Sequence, residues 1–170
     1  MIVDAATAND PSLAASLAEA RLIYIAGGDP GYLLRSLSGS LAWETILNAW
    51  RGGAVLAGSS AGAMVLCEAM WNPSANRVEP ALGAVKQAAV IPHHHAGSDW
   101  VKRLRDALGD AFALLGIAEQ TALIWDGAAW RVAGPGDVTI YADKDTVVHH
   151  HGDRYTFGDL PQVTVFPAGH

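Results

Sequence analysis

The run Ala54-Val55-Leu56-Ala57-Gly58-Ser59-Ser60-Ala61-Gly62-Ala63 decides how this chain folds. Four apolar residues of strand character lead straight into Gly58-Ser59-Ser60-Ala61-Gly62, which fits G-x-S-x-G, and an Ala/Met/Val/Leu segment, read as a helix from Ala61 to Met70, follows. The pentapeptide alone is a common accident, and a plain Gly/Ser turn is its bland reading. Its context is more specific, because a strand before it and a helix after it are what a nucleophile elbow requires. Small neighbours let the backbone take a strained turn that lifts the Ser60 hydroxyl above the sheet, which makes Ser60 the candidate nucleophile. The helix that begins behind it offers backbone N–H groups and a positive dipole end to a developing oxyanion, with the Ala61 N–H the first donor.

Working outward, Leu22-Ile23-Tyr24-Ile25-Ala26 is a second apolar run, read as a strand buried on both faces, and it breaks at Gly27-Gly28-Asp29-Pro30-Gly31. A backbone without a side chain at Gly28 can approach a substrate and supply another oxyanion donor; an ordinary βα turn is the alternative. Ile2-Val3-Asp4 reads as a short strand, and Asn9-Asp10-Pro11 caps a helix through about Ala20. Further helices are expected around Leu33, Leu34 and Leu37, from Trp43 to Trp50, and from Trp100 to Leu108, with a strand at Ala88-Ala89-Val90-Ile91. Strand and helix alternate. That order predicts an α/β fold, a doubly wound and mainly parallel sheet with helices on both faces, with ligands at the carboxyl ends of the strands. After Gly116 the texture changes to short pieces, Thr121 to Trp125, Ala129 to Val132, Val138 to Tyr141 and Thr146 to His150, separated by Asp126-Gly127 and Gly134-Pro135-Gly136. These are expected as C-terminal antiparallel hairpins. No repeat, low-complexity tract or linker divides residues 1–170, so a single domain is expected.

About half of the 170 residues are apolar, enough for a real core, and the formal net charge of -6 is spread without a basic stripe or an acidic tail. Neither nucleic acid nor a membrane is an expected partner. A single cysteine, Cys67, and a start without a basic region and apolar run point to the cytoplasm.

A serine hydroxyl needs a base within hydrogen-bonding reach. Of the seven histidines, His93 follows the apolar strand in Pro92-His93-His94-His95, at a carboxyl end on the same rim as Ser60. His149-His150-His151 falls among the hairpins and reads as exposed histidines. Three consecutive residues on an extended chain point to alternate faces and seldom converge on one ion, so no metal and no cofactor is expected.

Four segments in this order resemble peptidase family S51, which contains aspartyl dipeptidases and cyanophycinases on the class I glutamine amidotransferase-like fold. They are Gly27-Gly28-Asp29-Pro30-Gly31-Tyr32-Leu33-Leu34, Gly58-Ser59-Ser60-Ala61-Gly62-Ala63, Pro92-His93, and Gly116-Ile117-Ala118-Glu119-Gln120-Thr121-Ala122-Leu123. The resemblance implies a serine peptidase of small peptides, without a metal, in which Ser60 attacks the scissile carbonyl, His93 is base and then acid, and Gly28 and Ala61 form the oxyanion hole. A carboxylate must orient the imidazole. Glu79, between serine and histidine, and Glu119, in the fourth motif, both stand as candidates, while Glu68 reads as a surface charge. Asp29, Arg103 and Arg105 are the candidate substrate-binding residues.

Two departures qualify the resemblance. Family members carry about one more strand-helix-strand unit ahead of the region matched by Met1 to Ala26. Its absence would expose apolar surface that another subunit covers, so a homo-oligomer is expected. Where aspartyl dipeptidases begin an arginine-rich stretch, this chain has Ser98-Asp99-Trp100, and tryptophan cannot hold a carboxylate as arginine does. Selectivity for an amino-terminal aspartate is therefore not expected. Three rival readings remain: an α/β-hydrolase esterase, which shares G-x-S-x-G in a longer chain with a distant histidine; a glutamine amidotransferase, whose nucleophile is cysteine; and a non-catalytic binding or assembly protein that keeps the elbow as architecture.

Overall fold

The computed structural model describes residues 1–142, 145–156 and 164–165, and the structural statements below concern these. The chain opens with two capped helices, α1 (Ala5–Ala8) and α2 (Pro11–Ala18). Asp10 accepts the N–H groups of Ser12 and Leu13 ahead of Pro11, as the sequence predicts. Ile2-Val3-Asp4 is not a strand. Asp4 accepts the Thr7 N–H at 2.8 Å while Thr7 Oγ1 accepts the Asp4 N–H at 3.0 Å, and this reciprocal cap starts a helix where two β-branched residues suggested an extended chain.

Strand β1 (Leu22–Ile25), helices α3 (Pro30–Leu37) and α4 (Leu41–Arg51), strand β2 (Val55–Gly58) and helix α5 (Ala61–Leu66) follow. β1 and β2 pair in parallel from Leu22↔Val55 to Ile25↔Gly58, so Gly27 and Ser60 leave the pair at the same end. β1 is buried on one face only: Ile23 and Ile25 are inside, whereas Leu22 and Tyr24, with Val55 beside them, are each about 60% exposed.

The helix expected to reach Met70 stops at Leu66, with Cys67 already extended at φ -75 and ψ 173. Ala69-Met70-Trp71-Asn72 instead forms β3 (Ala69–Asn72), paired antiparallel with β4 (Arg77–Pro80). Turn chemistry overrode helical patterning here. Asn72 Oδ1 accepts the N–H groups of Ser74 and Ala75 around Pro73, and Asn76 takes φ 50.

After β5 (Val85–Lys86), strand β6 (Ala88–Ile91), helix α6 (Asp99–Leu108) and strand β7 (Ala113–Ile117) form a parallel crossover unit, with β6 and β7 in register from Ala88↔Ala113 to Ile91↔Gly116. Both faces of this pair are closed. Ala89, Ile91 and Leu114 pack with Met64, Val65 and Leu104 of the helices, while Ala88, Val90, Ala113 and Leu115 pack with Trp130, Val132, Val138 and Ile140. Period-two alternation on two buried faces gives the continuous apolar runs seen in the sequence. The structure is thus the expected α/β fold with parallel pairing, and hairpins cover the second face of β6 and β7.

Those hairpins are β8 (Ala122–Trp125) with β9 (Trp130–Ala133) and β10 (Val138–Ala142) with β11 (Asp145–His149), and the short strands β12 (Arg154–Tyr155) and β13 (Thr164–Val165) pair with β9 and β5. They are antiparallel throughout, as expected, and β10 joins β7 to extend its sheet in the order β11-β10-β7-β6. Among the described residues no helix is long and apolar enough to cross a membrane.

Candidate active site

Ser60 sits at φ 50 and ψ -117, a conformation L-residues avoid and one that costs on the order of 1–3 kcal/mol. Packing around the turn holds it there. A Cβ on Gly62 would overlap the Ile25 carbonyl, and one on Gly58 would lie 2.6 Å from the Gly62 carbonyl atoms, so both glycines are required by the close seating of α5 on β1 and β2. The Ser59 N–H donates to Ile25 O at 3.1 Å, and the Gly62 N–H to Ser59 O at 2.8 Å. Ser60 occupies the N-cap position of α5 without capping it. Its Oγ points instead to His93 Nε2, 2.9 Å away.

His93 follows β6 directly after Pro92 and also takes a positive φ, 54°. Its Nδ1 lies 2.6 Å from Glu119 Oε1. An ionised carboxylate only accepts, so Nδ1 carries the ring proton of the neutral imidazole and Nε2 is left bare to accept the Ser60 hydroxyl. Of the two acids the sequence left open, Glu119 is the one in contact with the imidazole. It stands on the turn after β7, where Gln120 takes φ 55. Glu79 lies on β4 and accepts from Asn72 Nδ2 and Arg77 Nε, both at 2.9 Å; those bonds, Asn72's first, hold its carboxyl below the ordinary range. The His93 and Glu119 side chains are 57% and 74% exposed, so the relay is open to solvent.

Gly27 presses on Ser60: a Cβ there would stand 3.2 Å from Ser60 Cβ. Gly28 takes φ 137, suited to glycine, and faces open space beside it. Asp29 caps α3, accepting the Tyr32 N–H at 2.6 Å and the Ser74 hydroxyl at 2.7 Å, and these bonds depress its pKa. Both its oxygens are thereby engaged in fixing the loop. Arg103 borders a cleft of about 430 Å³ with Pro92, His93, Ser98 and Trp100. Its guanidinium lies over the Trp71 ring at 5.4 Å and donates to Asn76 Oδ1. The donors of Arg105 reach the carbonyls of Gly109, Phe112 and Tyr141, which makes it a strut between α6 and β10. Glu68, read as a surface charge, accepts the Gln87 N–H at 2.7 Å.

The second histidine triplet disperses as alternation requires. His149 stacks on Tyr155, His150 Nδ1 meets Asp137 Oδ1 at 2.6 Å, and His151 Nδ1 accepts the Gly134 N–H. No group of three or more His, Cys, Asp or Glu side chains able to hold a metal occurs among the described residues. Sequence reasoning missed β7, the strand that delivers Glu119, although Ala113-Leu114-Leu115 carried the signal of a buried strand.

A hydroxyl, an imidazole and a carboxylate in one hydrogen-bonded line can activate an oxygen nucleophile and return a proton to a leaving group. The model of peptidase family S51 matches residues 2–133 of this chain. Cyanophycinases of Synechococcus elongatus and Thermosynechococcus vestitus are each 30% identical over 158 residues, 85% of this chain and 49% of theirs, so the chain spans about half the length of these curated relatives. The crystal structure of a peptidase from an acI-B1 Actinobacterium superposes with a TM-score of 0.82 at 32% identity, over 92% of this chain and 67% of that one. A protein assigned as peptidase E from Listeria monocytogenes EGD-e, 16% identical with a TM-score of 0.50 over 82% of this chain and 64% of that one, shares the fold.

Proposed function

The chain belongs to peptidase family S51, and we propose that it cleaves amide bonds of small peptides through an acyl-enzyme on Ser60. The observation that carries this reading is the continuous line from Ser60 Oγ through the His93 ring to Glu119 Oε1, with contacts of 2.9 and 2.6 Å. As Ser60 Oγ bonds to the scissile carbonyl carbon, its proton passes to His93 Nε2 and the carbonyl oxygen gains the negative charge. Glu119 stabilises the imidazolium so formed, and the N–H groups of Gly28 and Ala61 hold the oxyanion. Collapse of the tetrahedral intermediate breaks the C–N bond, and the Nε2 proton leaves with the amine. Water then attacks the acyl-enzyme by the same route in reverse, giving the acid and free Ser60.

Small substrates are supported by the cleft beside His93, whose volume of about 430 Å³ suits a ligand of a few residues. Within it Arg103 is the residue we assign to substrate binding, since among the described residues it is the one cationic residue that lines the cleft with His93. Residues 1–170 act as one domain in this reading, because the two apolar clusters share β6 and β7. It works in the cytoplasm, where the free Cys67 stays reduced, and it self-associates through the face that presents Leu22, Tyr24 and Val55.

A fluorophosphonate probe tests the chemistry. Labelling of the wild type, lost in Ser60→Ala and His93→Ala variants with unchanged melting temperatures, is the expected result; a folded wild type that takes no label overturns the reading. A dipeptide library then defines the side chains accepted. Light scattering at micromolar concentration checks self-association, and a well-folded monomer would remove it.

A further inference from the structure

The exposure of His93 and Glu119 raises a physical question. A hydrogen bond between solvated side chains does not hold its own geometry well, and a displacement of about 1 Å in a reacting group can cost 10²-fold in rate. Whatever orients His93 must act from beneath it.

The backbone supplies part of that support. Ile91 pairs with Gly116 in the β6–β7 ladder, and the His94 N–H donates to Ile117 O at 2.9 Å. Pro92 and His93 are thus an excursion between two points fixed to β7, and the positive φ of His93 is what this excursion requires. The side chain of His94 supplies the rest. Its ring lies against Gly116, where a Cβ would come within 2.6 Å of Cδ2 and 2.7 Å of Cγ. Its Nε2 lies 2.9 Å from Tyr141 Oη, with the two rings edge to face at 5.8 Å. Tyr141 is in turn fixed: it pairs with Leu114 of β7, and its carbonyl accepts from Arg105. Burial lowers the pKa of His94, as does the nearby His95, and burial raises that of the Tyr141 phenol, so the contact joins two neutral groups. The strand gripped in this way, β7, ends two residues before Glu119.

We propose that His94, seated on the bare backbone of Gly116 and tied to Tyr141, is the positioning residue that sets His93 against both Ser60 and Glu119. It touches no reacting atom. Its effect is on the rate of proton transfer through His93 and not on the affinity of the cleft. This inference rests on the proposed serine chemistry.

The test measures inactivation by a fluorophosphonate probe, resolved into the maximal rate kinact and the half-saturating concentration KI, together with melting temperature. His94→Ala should lower kinact about 10- to 100-fold and Tyr141→Phe about 3- to 10-fold, each with KI within twofold of wild type. Gly116→Ala should resemble His94→Ala, because its new methyl displaces the same ring. The double variant Gly116→Ala/His94→Ala should be no slower than His94→Ala alone, since both changes act through one ring. Tyr141→Phe, which removes a single hydroxyl, keeps the test open if the larger changes prevent folding. Unchanged kinact in folded His94→Ala and Tyr141→Phe overturns the proposal, as does a loss confined to melting temperature or to KI. Those outcomes leave the serine chemistry standing so long as Ser60→Ala and His93→Ala abolish labelling. If these two variants label like the wild type, the chemistry itself is wrong.

Discussion

Replacing Glu119 by Gln removes one charge and leaves the shape of the side chain nearly intact. The amide can still bond to His93, but it cannot discriminate as strongly in favour of the imidazolium that forms when Ser60 attacks. Unit charges about 4 Å apart attract by about 1 kcal/mol in bulk water and about 4 kcal/mol at an effective dielectric constant of 20. Glu119 is 74% exposed and His93 57%, which places the pair near the lower limit until a substrate covers the cleft. With substrate covering the cleft the value lies between those limits, and a loss of about 1.4 to 2.7 kcal/mol is expected, or 10- to 100-fold in the rate of acylation. The same substitution at Glu79, whose partners are Asn72 and Arg77, should change the rate by less than about threefold. Rates of fluorophosphonate labelling for both variants, with melting curves to confirm folding, make the comparison. A Glu119→Gln enzyme within threefold of wild type, or a Glu79→Gln enzyme equally impaired, would refute the assignment of the orienting acid.

The elbow should be intolerant of bulk: Gly62→Ala forces a methyl onto the Ile25 carbonyl, and thermal unfolding should show a large drop in melting temperature or no soluble folded protein. Emptying the core beneath β7 with Leu114→Ala, at a fully buried site, should cost about 2–5 kcal/mol by denaturant titration. The pair of His150 and Asp137 gives a pH signature. Asp137's hydrogen bond and charge raise the His150 pKa, so its contribution to stability is complete in mildly acidic solution and is lost as pH rises through the folded-state value. Melting temperature against pH should therefore flatten across neutrality in His150→Asn relative to wild type.

How much of this site could be read from the sequence depended on how local each requirement was. The elbow was fully legible, because an apolar strand, two glycines and a helix start all lie within ten residues of Ser60. His93 was legible for the same reason, standing just after an apolar strand whose end had to face the same rim. The alternation of buried strands and amphipathic helices likewise determined the α/β class. Helix α5 was overextended, since an apolar run fits a helix and a buried strand equally well and only the Asn72 turn decides between them. The orienting acid was not legible. Glu79 and Glu119 lie 14 residues before and 26 residues after His93, and neither separation constrains a distance in space. Only the parallel pairing of β6 with β7 brings Glu119 to the imidazole, while the β3–β4 hairpin commits Glu79 to Asn72 and Arg77. The bonds of Arg105 were not legible, because the carbonyls it serves come from beyond the end of α6 and from β10. The sequence by itself determined the class of fold and singled out Ser60 and His93 as the proposed nucleophile and base, since each is written in contiguous residues. The tertiary structure decided which carboxylate meets His93, the struts and the exposure of that pair, because these depend on which strands become neighbours.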